Sequence, residues 1–124
     1  MKKILIVDDE PGIIEEVKSY FEEEGYRVET ADSGKDGIRI LKRMRPDLLI
    51  LDIKLPDING LEVLKSSKES LPDTKVIVMT GYVDQKLIDE AERLGRDAFL
   101  AKPFDLNHLH QEVERLLATL PPAA

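Results

Sequence analysis

The stretch Leu48-Leu49-Ile50-Leu51-Asp52 decides the fold, because four aliphatic residues in a row are followed at once by a carboxylate. An apolar run that does not alternate is typical of a parallel strand covered on both faces. Three further runs end in a similar way: Ile4–Val7 before Asp8-Asp9, Val76–Met79 before Thr80, and Ala98–Ala101 before Lys102. The carboxyl ends of parallel strands line the ligand crevice of an open α/β sheet. We therefore expect these polar side chains to converge on one site.

Helix signals lie between the runs and predict an alternation of strands and helices. Ser33, Asn59 and Asp105 are expected N-caps, and Gly25 and Gly95 close two of the helices. The alternation predicts the α/β class, with a single doubly wound parallel sheet and five helices. The predicted strands are Lys3–Val7, Arg27–Ala31, Leu48–Leu51, Lys75–Met79 and Ala98–Ala101; the predicted helices are Pro11–Glu24, Ser33–Met44, one capped by Asn59 that runs to Ser70, Asp84–Leu94, and one capped by Asp105 that carries Leu106, Leu109, Val113 and Leu116 on one face.

The composition bounds the class of protein. A chain of 124 residues with 42% apolar residues fits one domain with one core. We assign residues 1–119 to that domain and residues 120–124 to a tail or the start of a linker. The absence of cysteine excludes disulfides, thiolate chemistry and Cys-rich zinc sites. The net charge of −7 argues against direct nucleic-acid binding, and no apolar stretch is long enough for a signal peptide core or a membrane span. We expect a soluble cytoplasmic protein that binds neither nucleic acid nor membrane.

Asp8, Asp9 and Asp52 carry the strongest chemical signal. Carboxylates packed together raise one another's pKa unless a cation neutralises them. Mg²⁺ suits such a site, since it prefers oxygen ligands and is usually held by one or two carboxylates together with water and phosphate oxygens. The alternative for the first two residues is a helix N-cap pair before Pro11.

Asp52 is also a candidate nucleophile. A carboxylate that attacks a phosphoryl group forms an acyl phosphate, and the protein supplies positioning and charge neutralisation. Lys102 would hold one phosphoryl oxygen and Thr80 would donate a hydrogen bond to another. Taken singly, Thr80 is ordinary for a strand and Lys102 for a surface, so the case rests on their joint placement. The Lys102-Pro103 bond is open to two forms, a cis proline that aims Lys102 inward or a trans proline that starts a helix.

Four pieces of the chain together resemble the receiver domain of two-component signalling, of the chemotaxis and sporulation-phosphorelay type. They are Ile6–Glu10, Pro46–Pro56, Val78–Tyr82 and Ala101–Asp105, and the resemblance runs from Lys2 to Leu117. It implies a flavodoxin-like sheet with the strand order 2-1-3-4-5. It also implies a signalling phosphoacceptor that promotes only its own phosphorylation and dephosphorylation, rather than an enzyme.

The resemblance implies roles for single residues. Asp52 would accept a phosphoryl group from a phosphohistidine on a histidine kinase or a histidine phosphotransfer protein. Asp8 or Asp9, Asp52 and the backbone carbonyl of Lys54 would hold Mg²⁺.

The resemblance also places a switch at Thr80 and Phe99. The phosphoryl group would draw Thr80 inward, the ring of Phe99 would follow, and the surface of the fourth helix, fifth strand and fifth helix would change. Phe99 stands where the family often has Tyr, so any hydrogen bond from a tyrosine hydroxyl is absent.

Lys54 and Tyr82 are predicted to tune the lifetime of the phosphorylated form. They stand two residues after Asp52 and Thr80, respectively, and should border the route of water to the acyl phosphate. The pair resembles receivers of the sporulation-phosphorelay type and predicts slow hydrolysis.

A partner-docking surface is predicted beside the site. Ile13 is expected to point outward near the acidic pair, where it would pack on the partner together with Pro103 and Phe104. His108 and His110, on the last helix, are expected to face solvent.

The rival activity is that of a haloacid-dehalogenase-like phosphatase, which also uses an aspartate nucleophile with Mg²⁺. That family has a second aspartate two residues after the nucleophile, where this chain has Lys54. No glycine-rich phosphate-binding loop follows the first strand, which argues against nucleotide-binding modules and flavodoxins. Two arrangements stay open: a stand-alone receiver, and the N-terminal domain of a larger regulator with an output domain or target protein. Dimerisation on phosphorylation is possible in either.

Overall fold

Five parallel strands form a single sheet in the order β2-β1-β3-β4-β5, with helices on both faces. The computed structural model describes residues 1–81 and 84–118. The expected doubly wound sheet and its strand order are confirmed. The strands are β1 Lys3–Val7, β2 Arg27–Ala31, β3 Leu48–Leu51, β4 Lys75–Thr80 and β5 Ala98–Ala101; the helices are α1 Pro11–Glu23, α2 Gly34–Met44, α3 Gly60–Ser70, α4 Gln85–Arg93 and α5 Leu106–Leu117.

Side-chain caps explain where most of these helices begin. The carboxylate or amide oxygens of Asn59, Asp84 and Asp105 accept hydrogen bonds from backbone N–H groups two residues further on. Ser33 caps α2 by accepting from the N–H of Asp36. Each cap satisfies an amide that the first helical turn leaves without a partner. The start of α1 instead has Pro11 at its first position and no side-chain cap.

The core consists of two apolar layers, one on each side of the sheet. Strand residues 4–7, 48–51 and 76–79 are all completely buried. Leu5, Leu49 and Val78 pack on one face in a layer with residues of α2 and α3, which we call the α2/α3 core. On the other face, Ile50 and Met79 pack with residues of α1 and α5, the α1/α5 core. Burial on both faces is the physical reason for the uninterrupted apolar runs in the sequence.

Some expectations fall outside the residues that the structure describes, and one needs correction. Tyr82 and the tail 120–124 are outside the described ranges. His108 faces solvent, but His110 is half-buried, because its Nδ1 lies 2.6 Å from the hydroxyl of Tyr20 and its ring stacks near Phe21. Along residues 1–81 and 84–118, none of the helices combines the length and the apolar character needed to cross a membrane.

The start of α3 allows a sharp test of packing. Gly60 donates its N–H to the carbonyl of Ile53 at 2.7 Å, and a Cβ added there would lie 2.6 Å from the Cα of Ile53. Because that neighbour is backbone, we expect Gly60→Ala to lower the free energy of unfolding by about 2 kcal/mol or more. Gly12→Ala is the matched control, since nothing lies within 4 Å of its added Cβ. Urea denaturation should leave Gly12→Ala at or above wild-type stability, and equal losses in both variants would contradict the packing argument.

Candidate functional site

The polar residues that follow the strands continue the hydrogen-bond ladders of the sheet. The N–H of Asp8 donates to Ala31 of β2 at 3.1 Å, and the N–H of Asp52 donates to Val7 of β1 at 2.9 Å. The N–H of Lys102 donates to Thr80 at 2.9 Å. The backbone of each residue is therefore fixed by its neighbouring strand. This pairing brings the predicted residues to one edge of the sheet, as expected.

The ammonium of Lys102 lies at the centre of the site. Its Nζ is 2.8 Å from Oδ2 of Asp8, 2.8 Å from Oε1 of Glu10 and 2.9 Å from Oδ2 of Asp52. The side chains of Asp8, Asp52 and Lys102 are only 1%, 6% and 9% exposed, whereas Glu10 is at the solvent rim. The cluster has one cation for three anions, so its local charge is negative.

Burial and pairing shift the proton affinities in this cluster. Burial raises the pKa of the Asp8 carboxyl, and the neighbouring ammonium of Lys102 and the N–H of Glu10 oppose this shift only in part. Burial alone would lower the pKa of Lys102, but the contacts with the carboxylates of Asp8, Glu10 and Asp52 outweigh it and raise that pKa above its usual range. Lys102 is therefore a permanent cation at neutral pH.

Backbone amides orient the two buried carboxylates. Oδ1 of Asp8 accepts from the N–H of Glu10 at 2.9 Å, and Oδ1 of Asp52 accepts from the N–H of Lys54 at 3.1 Å. In both residues Oδ2 therefore faces Lys102. Within the described chain, Oδ2 of Asp8 has no hydrogen-bond partner of good geometry, although it lies at ion-pair distance from the ammonium. A buried carboxylate oxygen in this condition is suited to an additional cation.

The oxygen donors fit a divalent metal ion. Carboxylate oxygens of Asp8, Glu10 and Asp52 lie within 4.8 Å of one another. Hard cations such as Mg²⁺ prefer such ligands. A cavity of about 440 Å³ opens beside them and has room for a phosphoryl group; it is lined by Asp9, Glu10, Asp52, Lys54, Leu55, Pro56, Thr80 and Gly81.

Sequence reasoning missed Glu10 and treated Asp8 and Asp9 as equivalent. The structure buries Asp8 in the carboxylate cluster and leaves Asp9 exposed at the cavity wall. The alternative of an Asp8-Asp9 helix cap is not seen, because the N-cap position of α1 is Glu10 and carries no side-chain cap. The available signal for Glu10 was its place directly after the acidic pair.

The other predicted residues lie around this cluster. Thr80 is buried at the end of β4, and the Lys102-Pro103 bond is cis, which decides between the two forms left open. Phe99 is half-buried against the α2/α3 core. Ile13 and Phe104 are half-buried against the α1/α5 core, and Pro103 is exposed.

Comparisons with known proteins agree with this geometry. The sequence profile of the family described as the response regulator receiver domain matches residues 4–114. The sporulation initiation phosphotransferase F of Bacillus subtilis is 39% identical over 116 residues, which are 94% of each chain. The response regulator SaeR of Staphylococcus aureus is 36% identical over 120 residues, and the chain spans 52% of its length.

A solved structure supports the same assignment. The CheY-like receiver domain protein of Methanospirillum hungatei superposes with a TM-score of 0.93 at 34% identity, over 95% of this chain and 94% of that one. The family profile covers most of the chain, and the carboxylates and the lysine predicted from the sequence meet at one edge of the sheet. The chain therefore belongs to the response regulator receiver domains, the phosphoacceptor modules of two-component and phosphorelay signalling.

Proposed function

We propose that Asp52 is the phosphoacceptor of this receiver and that its donor is a phosphohistidine on a histidine kinase or histidine phosphotransfer protein. The observation that carries the proposal is the nearly buried Asp52 carboxylate with Nζ of Lys102 at 2.9 Å, open to a cavity of about 440 Å³. A carboxylate so placed has a fixed backbone, a permanent counter-cation and room for a ligand on one side.

The transfer is a displacement at phosphorus. An oxygen of Asp52 forms the new P–O bond while the P–N bond to the donor imidazole breaks, and the electron pair returns to that imidazole, which then takes up a proton from solvent. Lys102 neutralises charge on a phosphoryl oxygen, and Thr80 is positioned at the same cavity to hydrogen-bond another. Asp8, Asp9, Asp52 and the carbonyl of Lys54 are the proposed Mg²⁺ ligands, and Glu10 is an added candidate. The bound cation would neutralise the charge of the incoming phosphoryl group.

The proposed switch connects the cavity to the half-buried ring of Phe99. Thr80 ends β4 in register with Ala101 of β5, two residues from Phe99. A move of Thr80 towards a phosphoryl group would vacate space that the ring can occupy. The surface of α4, β5 and α5 would then be the output face, offered to a target protein, an output domain or a second copy.

Phosphorylation of Asp52 is the first prediction. Intact mass spectrometry after incubation with Mg²⁺ and acetyl phosphate should show one added phosphoryl group on wild type and none on Asp52→Ala. The exposed Asp73→Asn variant is the control and should be modified like wild type. Excess EDTA should abolish the addition. A modified Asp52→Ala protein would contradict the assignment of the nucleophile.

The lifetime of the phosphorylated form is predicted to depend on Lys54 and Tyr82. Lys54 lines the cavity beside Asp52, and Tyr82 is included on its sequence position alone. Replacing both by alanine should admit water and shorten the half-life about tenfold, equivalent to about 1.4 kcal/mol in the hydrolysis barrier. The decay is followed by intact mass after removal of the donor. An unchanged half-life would remove this role.

Docking of the phosphodonor is predicted to use Ile13, with Pro103 and Phe104. Ile13→Ala should slow transfer from a phosphorylated partner about tenfold, as expected for about 1.4 kcal/mol of lost apolar contact. Phosphorylation of the same variant by acetyl phosphate is the control, because this small donor needs no docking surface, and it should be unchanged. Equal rates from the protein donor would show that Ile13 is not part of the interface.

A further inference from the structure

The carboxylate of Asp57 ties the loop after β3 to the start of helix α2. Its Oδ1 accepts from the N–H of Gly34 at 2.8 Å and its Oδ2 from the N–H of Lys35 at 3.0 Å. These residues are 23 and 22 positions away in sequence, so the contact is a tertiary cap. The amides of Lys35 and Gly34 hold the pKa of Asp57 below its usual range, because they bind the ionised form.

The same junction is closely packed. A Cβ added to Gly34 would overlap the side chain of Ile58, so the loop approaches the helix start as closely as a glycine allows. Ile58 in turn packs against the α2/α3 core. The loop is therefore held at this end both by two hydrogen bonds and by apolar contact.

The other end of this loop forms the candidate site. The N–H of Lys54 donates to Oδ1 of Asp52, and Lys54, Leu55 and Pro56 form one wall of the cavity over that carboxylate. Lys54 pairs with Asn59 in an isolated antiparallel bridge, which closes the loop into a compact unit. A displacement of Asp57 would consequently change the position of Lys54.

We infer that Asp57 is a positioning residue of the proposed magnesium site. Its two hydrogen bonds to the start of α2 hold the loop so that the Lys54 backbone lies beside Asp52. This inference rests on the proposed function, since it assigns Asp57 to the same site. Asp57 itself lies at the far end of the loop, and its effect on the cation passes through Lys54. Groups that hold metal ligands in place commonly change metal affinity without touching the metal.

Ser33 supplies a matched control, because its hydroxyl caps the same helix end through the N–H of Asp36 at 3.3 Å and, within residues 1–81 and 84–118, makes no hydrogen bond to the loop. Mg²⁺ alone is titrated into wild type, Asp57→Ala and Ser33→Ala, and followed by amide chemical shifts in NMR spectra. The midpoint of urea denaturation is measured for each protein. We expect both variants to lose stability, and only Asp57→Ala to bind Mg²⁺ more weakly, by about tenfold.

The outcomes separate the inference from the proposed function. Equal Mg²⁺ affinities in the two variants, with binding by wild type intact, would overturn the role of Asp57 and leave the magnesium site standing. No Mg²⁺ binding by wild type would overturn both. Should Asp57→Ala be unfolded, Asp57→Asn replaces it: the amide keeps one acceptor oxygen and loses the other, so an intermediate fall in affinity is expected. Wild-type affinity in a folded Asp57→Asn would refute the inference.

Discussion

The in-register parallel pairing of β1, β3, β4 and β5 is the constraint on which the rest of the structure depends. Val7 is level with Leu51, and Thr80 is level with Ala101. Asp8, Asp52 and Lys102, which follow their strands, therefore reach the same edge of the sheet as Thr80, which ends β4. Asp52 stays in the ladder through its own N–H. A slip of one residue in any pair would exchange side chains between the two apolar cores and disperse the site. The same strand register therefore fixes both the packing of the core and the positions of the site residues.

Lys102 lowers the free-energy cost of burying Asp8 and Asp52 together. Two carboxylates buried side by side would repel each other and lose their hydration, and the ammonium between Asp8 and Asp52 offsets part of this cost. Lys102 reaches them from the end of β5, across β4 from Asp52, and its backbone is fixed to Thr80. The cation that we propose for the phosphoryl group is thus also the one that allows the acidic residues to pack.

Much of this could be predicted from the sequence, because the signals were local. Uninterrupted apolar runs mark strands buried on both faces, and Ser33, Asn59 and Asp105 mark helix starts, so these bounds are reproduced to within about a residue. What could not be predicted depends on contacts between distant residues. Glu10 contacts an ammonium 92 positions away. His110 is drawn out of solvent by Tyr20, from a helix 90 positions earlier. No periodicity or spacing in the sequence encodes such pairings.

The raised pKa of Asp8 links the site to folding. Its burial makes the folded chain bind a proton there more tightly than the unfolded chain does. The cost of ionising Asp8 is therefore absent below its ordinary pKa of 3.8, grows as pH rises through the raised value, and is fully present above it. At neutral pH, other interactions in the folded chain offset this free-energy cost. A divalent cation that binds only the folded chain adds stability by mass action. Binding of Mg²⁺ at the proposed site would then make both the stability of the fold and the phosphorylation of the chain depend on the supply of that ion.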